Sequence, residues 1–369
     1  MTTCYPAEFV LPGHPDKICD AIADALVQGA TRRQRRALCG VEVAVHRRTV
    51  TVTGRIAGAG AEEIDVDAIV REVYRSAGYD ACWYPAPEDL VVATDLCLGP
   101  LNEGEAEFRG VADDQSIVTG YAIDCPGTNY LPPEHWLAWR LARELELLRV
   151  VRPDLQLGPD GKVIVLLEQG EGLRLASLSV SLQQRLDSDC IELHRAVLGV
   201  AQRQLEEAAK SVPGLERTLP GDVVVNGAGN FAVGGPEGDN GLSGKKLVVD
   251  AYGPRVAIGG GALSGKDFFK ADRAGAIIAR RLAKAVVLTG AAHECTATLA
   301  WFPGDIEARL VSLRDGQGND LDHERWSGLV DRSLASIGER FTGAADLVDV
   351  ARHGHFSCDH LPWESIARL

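Results

Sequence analysis

The sequence predicts an α+β protein in which helices and short β-strands recur in three similar rounds. Segments in which apolar residues recur with helical spacing are followed by segments in which apolar and polar residues alternate as in strands. This order repeats along the whole chain, and the strands lie in short meanders between the helices. A doubly wound parallel sheet is disfavoured, because its strands would alternate one by one with helices. The length of 369 residues is enough for two or three units, each with a core of its own.

The first round occupies residues 1–99. A helix is predicted at 16–29, because Pro15 and Asp16 form a typical helix start and the following apolar residues recur with helical spacing. The other predicted elements of this round are an alternating hairpin, a second helix and a buried strand, at 41–46 with 49–56, at 64–77 and at 90–96.

The second round occupies residues 110–232, and the third occupies residues 233–369. The segment between the first two rounds, 98–109, is rich in Gly, Pro and Glu and is predicted to be a loop. In the second round we predict helices at 133–149 and 188–209, with strands near 163–168, 173–181 and 223–225. In the third we predict helices at 271–290 and 324–337, with strands near 247–251, 295–301 and 307–313.

Composition narrows the range of functions. A net charge of −14 argues against nucleic acid or a membrane surface as partner, since both attract clustered Lys and Arg; the basic run 32–36 is better explained as a solvated helix end. Nine cysteines without a Cys-x-x-Cys pair disfavour a disulfide or zinc framework, and we expect a cytoplasmic protein. The histidine-rich stretch 353–360 has metal-ligand residue types, but we expect it to be structural.

Two glycine-lysine runs indicate a site for a metal-loaded polyphosphate. The run 259–267 is followed by Lys270 and Asp272, and the run 234–246 ends in Lys245 and Lys246. Glycines let backbone N–H groups approach phosphate oxygens, lysines supply positive charge, and carboxylates hold the accompanying cation. A P-loop is excluded because Asp267 stands where a P-loop has the Ser or Thr that binds the metal.

A third element, residues 13–17, places His14 and Asp16 at the start of the first predicted helix. Helix N-termini favour anions, because their backbone N–H groups are free and the helix dipole is positive there. The three runs are Gly-His-Pro-Asp-Lys at 13–17, Gly-Gly-Pro-Glu-Gly-Asp-Asn-Gly-Leu-Ser-Gly at 234–244 and Gly-Gly-Gly-Ala-Leu-Ser-Gly-Lys-Asp at 259–267.

Together these runs resemble the S-adenosylmethionine synthetases, with Leu263 where that family has Phe. The likeness extends from Glu8 to Pro362-Trp363-Glu364 and so covers nearly the whole chain. It implies three similar α+β subdomains around a pseudo-threefold axis, the S-adenosylmethionine synthetase fold. It also implies a homodimer whose active sites are shared between two subunits; pairing of dimers into a tetramer is left open. In this family the segment 98–109 is a mobile lid, and a plain surface loop is the alternative.

The reaction implied by the resemblance is attack of the methionine sulfur on C5′ of ATP, with release of triphosphate and its hydrolysis to pyrophosphate and phosphate. The protein must then align the sulfur with C5′ and stabilise charge on the departing chain. By motif, the catalytic residues are His14, Lys162, Lys266 and Lys270. The ATP-binding residues are His14, Asp160, Lys162, Phe231, Asp239, Lys245, Lys246, Ala262 and Lys266.

The resemblance also assigns metal and amino-acid sites. Asp16 and Asp272 would hold Mg²⁺, of which two ions are expected, and Glu42 would serve a K⁺ site. The amino-acid substrate would be contacted by Arg55, Asp114, Asp239 and Lys270. Without the resemblance, His14 would be interpreted as a helix cap, Glu42 as an exposed strand residue and the run around Lys162 as a turn.

Several residues depart from the family pattern at the amino-acid end. Arg55 stands where the family has the glutamate that binds the methionine ammonium, and a guanidinium repels an ammonium. The lid glutamine has no counterpart between 98 and 110. Other departures are Pro12 for an acidic residue, Lys245 for arginine and Asn230 for arginine. If methionine is the substrate, Glu62 or Glu63 is a candidate to receive its ammonium.

Four functions follow from this pattern. The leading hypothesis is synthesis of S-adenosylmethionine from ATP and L-methionine. A second is the same chemistry on another thioether acceptor, such as an acid that Arg55 would bind. A third is hydrolysis of triphosphate alone, and a fourth is an inactive nucleotide-binding partner that regulates an active synthetase. The fourth predicts losses among His14, Asp16, Lys162, Lys266 and Asp272, and none is lost.

Overall fold

The computed structural model describes residues 2–366 and shows, within that range, an α+β protein with three separate β-sheets. The strands are β1 Thr3–Val10, β2 Leu38–His46, β3 Thr49–Ala57, β4 Val91–Gly99, β5 Ser116–Ile123, β6 Leu157–Gln169, β7 Leu173–Gln184, β8 Asp222–Val225, β9 Gly241–Leu242, β10 Glu294–Trp301 and β11 Arg309–Asp315. The helices are α1 Pro15–Arg33, α2 Val66–Ala77, α3 Pro133–Val151, α4 Cys190–Ser211, α5 Gly235–Gly238, α6 Leu247–Asp250, α7 Ala271–Leu288, α8 His323–Trp326, α9 Leu334–Phe341 and α10 Leu347–His353.

Each sheet contains one strand from a distant part of the chain. The strand orders are β4-β3-β2-β9, β1-β6-β7-β8 and β11-β10-β5. Thus β1 joins the strands of residues 157–225, β5 joins those of residues 294–315, and β9 joins those of residues 38–99. Because each sheet includes a strand from another part of the chain, the sheets do not coincide with the predicted rounds. The subdomain boundaries 1–99, 110–232 and 233–369 therefore remain a prediction.

Most predicted elements are confirmed to within a few residues, because their apolar spacing is strong. The predicted helix 16–29 becomes α1, and its partner elements in the first round become β2, β3 and α2. Helices α3, α4 and α7 and strands β6, β7, β8, β10 and β11 also lie where the pattern placed them. Strands β1 and β5 and helix α10 were not predicted.

Three predicted elements are wrong in part. The predicted strand 247–251 is instead the single helical turn α6, whose Asp250 packs against Lys17 in the protein interior. The predicted helix 324–337 is interrupted, because Ser333 caps a separate helix, α9, by accepting a hydrogen bond from the Ser336 N–H. The strand predicted at 90–96 exists as β4, but it is largely exposed and not buried.

Helix α1 lies at the centre of the molecule. Its side chains from Pro15 to Ala23 are all buried, and it packs against β2, α2 and α10. A helix surrounded in this way must satisfy any polar group it carries through other parts of the protein. Within residues 2–366, none of the helices combines the length and the hydrophobicity that a membrane crossing requires.

Candidate active site

The site begins at the N-terminus of α1. His14 is the N-cap residue, and its Nδ1 accepts a hydrogen bond from the Asp16 N–H at 3.2 Å. Pro15 occupies the first helical position, where its missing N–H costs no hydrogen bond. The backbone therefore holds the imidazole of His14 at the end of the helix that carries the positive dipole.

Asp16 connects α1 to the first glycine-lysine run, 234–246. Its Oδ1 accepts a hydrogen bond from the Leu242 N–H at 3.0 Å. The ammonium groups of Lys245 and Lys246 lie 3.6 and 3.3 Å from its two carboxylate oxygens. Asp16 is 1% exposed, and although the Lys246 ammonium lies 3.3 Å from its Oδ2, that oxygen accepts no well-aligned hydrogen bond within residues 2–366. A buried carboxylate oxygen in this state is suited to an additional cation.

The second glycine-lysine run, 259–267, forms a second cluster of charged side chains together with α7. Lys266 pairs with Asp272 in the first turn of α7, and the Ser116 hydroxyl donates to the same carboxylate at 2.5 Å. Lys270, the N-cap residue of α7, pairs with Asp113. Of these residues, Ser116 and Asp113 were not predicted; the adjacent acidic pair 113–114 was the available signal.

Asp114, which the resemblance assigned to the amino-acid substrate, is exposed in the chain itself. Its Oδ1 accepts a hydrogen bond from the Gln115 N–H at 2.7 Å. Asp239 is likewise exposed, and its Oδ1 accepts from the Asn240 N–H at 2.8 Å. Both carboxylates are therefore accessible, and their contacts with substrate remain predictions.

The two glycine-lysine runs contact each other, and this explains some of their glycines. A Cβ at Gly244, which has φ +75°, would lie 2.6 Å from the Cβ of Ala262. A Cβ at Gly261 would overlap the carboxylate of Asp272. A side chain at Gly244 would push the two runs apart, and one at Gly261 would displace the Asp272 carboxylate, so glycine is required at both positions.

Lys162 and Asp160 approach the site from strand β6. Lys162 pairs with Glu8 of the neighbouring strand β1. Asp160 is buried, and its Oδ2 accepts a hydrogen bond from the Gly235 N–H at 2.7 Å. Burial raises the pKa of Asp160 to about 6, although hydrogen bonds from Gly235 and Gly161 oppose the change. Asp160 thus anchors the run 234–246, and its predicted contact with ATP is still untested.

Charged groups from separate elements surround His14. Burial lowers the pKa of His14 to about 4, and this effect exceeds the opposing attraction of Asp16; Lys246 and Lys162 lower the pKa further. The imidazole is therefore neutral at neutral pH. The structure brings together the predicted residues His14, Asp16, Lys162, Lys245 and Lys246 at this point.

Phe231, predicted to stack on adenine, is partly buried beside the first glycine-lysine run. Its carbonyl accepts a hydrogen bond from the Gln184 N–H at 2.9 Å. A Cβ at Gly234 would lie 2.9 Å from the ring, so glycine is needed there as well. The ring is held in place, but its role in binding adenine is a prediction.

Arg55, which the resemblance assigned to the amino-acid substrate, is not an isolated positive charge as the sequence had suggested. The guanidinium of Arg55 on β3 makes a bidentate ion pair with Glu105, with both N–O distances 2.7 Å, and donates to the Pro100 carbonyl at 3.1 Å. The hydrogen bonds from Arg55 lower the pKa of Glu105. The positive charge of Arg55 is thus compensated by a carboxylate in the segment 98–109, a partner that the sequence did not reveal.

The end of that segment is attached more firmly. Arg109 is 2% exposed, and its Nη1 donates to Asp267 Oδ1 at 2.7 Å. Asp267 directly follows Lys266 in the second glycine-lysine run. Glu42, the predicted K⁺ ligand, is exposed on β2 and accepts a hydrogen bond from the Ser243 hydroxyl.

Comparison with known proteins gives a consistent result. A family model described as "S-adenosylmethionine synthetase, N-terminal domain" matches residues 2–90, and one described as "S-adenosylmethionine synthetase, C-terminal domain" matches residues 233–365. The chain is 33% identical to a protein named S-adenosylmethionine synthase from Thermosynechococcus vestitus, over 100% of this chain and 97% of that protein. It is 29% identical to a Staphylococcus epidermidis protein of the same name and 32% identical to S-adenosylmethionine synthase 1 of Rhodopseudomonas palustris, each over 99% of this chain and 96% of the relative.

Proposed function

Because this chain belongs to the S-adenosylmethionine synthetase family, we propose that it is the ATP-dependent enzyme that makes S-adenosylmethionine from ATP and L-methionine. The observation that carries this proposal is a pair of charged clusters, one formed by α1, β6 and the first glycine-lysine run and the other by the second run and α7. The residues concerned are Asp16, Lys162, Lys245, Lys246, Lys266, Lys270 and Asp272.

In the proposed reaction, a lone pair of the methionine sulfur attacks C5′ of ATP. The S–C5′ bond forms as the C5′–O bond breaks, and the electron pair of the broken bond leaves on the triphosphate. Water then cleaves the triphosphate to pyrophosphate and phosphate. A thioether is nucleophilic without a base, so the protein's task is to align the reactants and stabilise the leaving chain.

The lysines perform the stabilising part of this task. Each of them is paired with a carboxylate in the chain alone, as Lys162 is with Glu8 and Lys270 with Asp113. We propose that phosphate oxygens replace these carboxylates when the nucleotide enters. The lysines then need little reorganisation, because they already point to where negative charge develops.

His14 assists the leaving oxygen as a hydrogen-bond donor. Its Nδ1 accepts from the Asp16 N–H, so the proton of the neutral ring lies on Nε2. An Nε2–H group on a neutral ring can donate to the oxygen that departs from C5′. It does so without titrating in the physiological pH range.

The carboxylates fit divalent cations that accompany the nucleotide, for which we propose two Mg²⁺ ions at Asp16 and Asp272. The Oδ2 of Asp16 supports this assignment, because it is buried and accepts no well-aligned hydrogen bond within residues 2–366, although the Lys246 ammonium lies 3.3 Å away. Among residues 2–366 no cluster of three metal-ligating side chains exists, which suits an ion bound mainly by one or two carboxylates, water and phosphate. Such ions, when bound, neutralise charge on the triphosphate. We also propose K⁺ at Glu42. Its carboxylate is exposed on β2, the strand that pairs with β9 of the first glycine-lysine run.

L-Methionine is favoured over an acidic acceptor by the Arg55–Glu105 ion pair. An acceptor with an extra carboxylate would need a bidentate guanidinium, but the Nε and Nη2 groups of Arg55 donate to Glu105 and Pro100, which leaves only Nη1. The pair is close to neutral as a unit, so it does not repel the methionine ammonium as an isolated arginine would.

We further propose a homodimer with shared active sites, with association into tetramers as a further possibility. The outward face of the sheet β4-β3-β2-β9 supports this, because Val91 and Leu242 remain 50% and 44% exposed on it. A cytoplasmic location is proposed as well. All nine cysteines lie within the described part of the chain and are free thiols, which a reducing compartment preserves.

The direct test is mass spectrometry of the products after incubation of the full-length protein with ATP, L-methionine, Mg²⁺ and K⁺. We expect S-adenosylmethionine, pyrophosphate and phosphate in equal amounts. Phosphate and pyrophosphate without S-adenosylmethionine would instead identify a triphosphatase or another acceptor. No turnover of ATP would identify an inactive partner. Omission of methionine is the matched control for ATP hydrolysis alone.

A further inference from the structure

Helix α1 carries three buried aspartates at a spacing of four residues, Asp16, Asp20 and Asp24. This spacing places them one above the other on a single helix face. Each is at most 1% exposed. Aspartate is a poor residue for a helix interior, and a buried carboxylate is costly, so neither helix propensity nor burial explains the second and third of them. We call Asp16, Asp20 and Asp24 the carboxylate ladder.

Each step of the carboxylate ladder accepts a hydrogen bond from the backbone of a glycine-lysine run. Asp16 accepts from the Leu242 N–H, as described above. Asp20 Oδ1 accepts from the Gly244 N–H at 2.8 Å, and Asp24 Oδ1 accepts from the Gly265 N–H at 2.9 Å. Gly244 and Gly265 directly precede Lys245 and Lys266 in the two runs.

The backbone at the two glycines explains why the N–H groups can point at the helix. Gly244 has φ +75° and Gly265 has φ +86°, values that L-residues rarely adopt. A carboxylate that binds such an N–H holds the loop in this conformation. Without it, the glycines have many other conformations available, because glycine has the largest backbone freedom.

The other carboxylate oxygens are held from the interior. Lys17 lies 3.1 Å from Asp20 Oδ2 and also pairs with Asp250. Arg273 pairs with Asp24, and its Nη1 donates to the Lys266 carbonyl at 2.7 Å. Asp24 and Arg273 thus bind the backbone on both sides of the Gly265–Lys266 peptide. Asp20 and Asp24 therefore each face a buried cation, although Lys17 is shared between Asp20 and Asp250.

We propose that Asp20 and Asp24 are positioning residues, which hold the two glycine-lysine runs so that Lys245, Lys246 and Lys266 meet the polyphosphate. This inference rests on the proposed function of those lysines. It assigns Asp20 to the run 234–246 and Asp24 to the run 259–267. Asp16 is set apart, because it also faces the site and is proposed to bind metal.

The test compares Asp20→Ala, Asp24→Ala and the isosteric Asp20→Asn and Asp24→Asn with Glu364→Gln. Glu364 is a suitable control, because it is a buried carboxylate bound to Arg280 and Lys284, and none of its hydrogen bonds reaches a glycine-lysine run. We expect the alanine variants to raise the KM for ATP about tenfold or more, with the KM for methionine changed less than about threefold. The asparagine variants keep a hydrogen-bond acceptor and should recover most of the loss.

Amide hydrogen exchange tests the same inference without turnover, so its outcome is independent of the proposed function. Asp20→Ala should increase exchange in residues 241–247, and Asp24→Ala should increase it in residues 261–268, each at least tenfold and each sparing the other run. Equal increases in both runs, or changes in the KM for ATP no larger than those of Glu364→Gln, would overturn the proposal. If the wild-type protein makes no S-adenosylmethionine but the exchange pattern holds, only the proposed function fails.

Discussion

The polyphosphate side of the site and the segment 98–109 are held in contrasting ways. On the polyphosphate side, buried carboxylates of α1 bind the backbone of both glycine-lysine runs. The middle of the segment 98–109 is held by Arg55 and Glu105, whose side chains are 27% and 16% exposed. Buried, charge-compensated hydrogen bonds fix geometry, whereas a partly exposed ion pair is weak and screened by salt. We therefore expect the proposed phosphate-binding side to be held more firmly than the proposed amino-acid end.

Removal of a phosphate-facing lysine should have the largest effect. For Lys266→Met we expect kcat to fall about 100- to 1,000-fold, because a preorganised charge opposite the leaving triphosphate is lost. Steady-state kinetics and circular dichroism would separate lost catalysis from lost folding. Lys210→Met, at an exposed lysine on α4, should leave kcat unchanged. A kcat within threefold of wild type for Lys266→Met would show that this lysine does not serve the reaction.

Glu364→Gln should lower stability while sparing the site. Burial alone would raise the pKa of Glu364, but Arg280 and Lys284 outweigh it and hold the pKa below its usual value. Its loss leaves two buried cations without their counter-ion, which costs about 3–5 kcal/mol in comparable pairs. Urea unfolding should detect this change, while kcat/KM for ATP at 25 °C stays within about twofold of wild type. A tenfold fall in kcat/KM would contradict the separation of the two regions.

Glu105→Gln should affect methionine more than ATP. It leaves Arg55 without its compensating charge, so we expect the KM for methionine to rise about fivefold, in line with an ion pair of roughly 1 kcal/mol. The double change Arg55→Gln with Glu105→Gln removes both charges and should restore most of the affinity. The KM values of both variants are measured at low and high salt. A rise in the KM for ATP, or no recovery of the KM for methionine in the double variant, would contradict this prediction.

A separate effect concerns the pH dependence of stability and His14. Unfolded His14 binds its proton near pH 6.5, whereas in the folded protein its pKa is lowered to about 4, chiefly by burial. The unfolded state therefore binds more protons between these values, and stability falls as pH drops through this window. At pH 5 we expect this effect to lower the free energy of unfolding by roughly 1–2 kcal/mol. The variant His14→Asn should not show this loss. Denaturant titrations of both proteins at pH 5 and 7.5 measure the difference; equal pH dependence would show that the folded imidazole is charged.

The sequence predicted the elements whose apolar spacing is regular; the lysines and carboxylates that it assigned to a polyphosphate lie in charged clusters, and their contacts with a nucleotide stay a prediction. It did not predict the exchange of β1, β5 and β9 among the sheets, because strand pairing between distant segments leaves no local pattern. The β-branched and aromatic residues of Ser116–Ile123 were an available signal for β5. The segment 247–251 was misassigned because its apolar run favours a strand, whereas the interior contact of Asp250 with Lys17 fixes a helical turn.

The partners of the predicted site residues were beyond reach of the sequence. Glu105 and Asp113 neutralise Arg55 and Lys270 across 50 and 157 positions of chain. The spacing of Asp20 and Asp24 was visible on the first helix, but nothing in a single sequence states that glycine N–H groups more than 200 residues away would be their donors. Only the tertiary structure shows that these residues are paired.

A crystal structure with Mg²⁺ and a non-hydrolysable ATP analogue would test the central claim most directly. We expect Lys246, Lys266 and Lys270 to exchange their carboxylate partners for phosphate oxygens, while Asp16 and Asp272 contact the metal. We also expect the hydrogen bonds of the carboxylate ladder not to change. A nucleotide bound elsewhere, with the lysine–carboxylate pairs intact, would show that these lysines do not bind the polyphosphate.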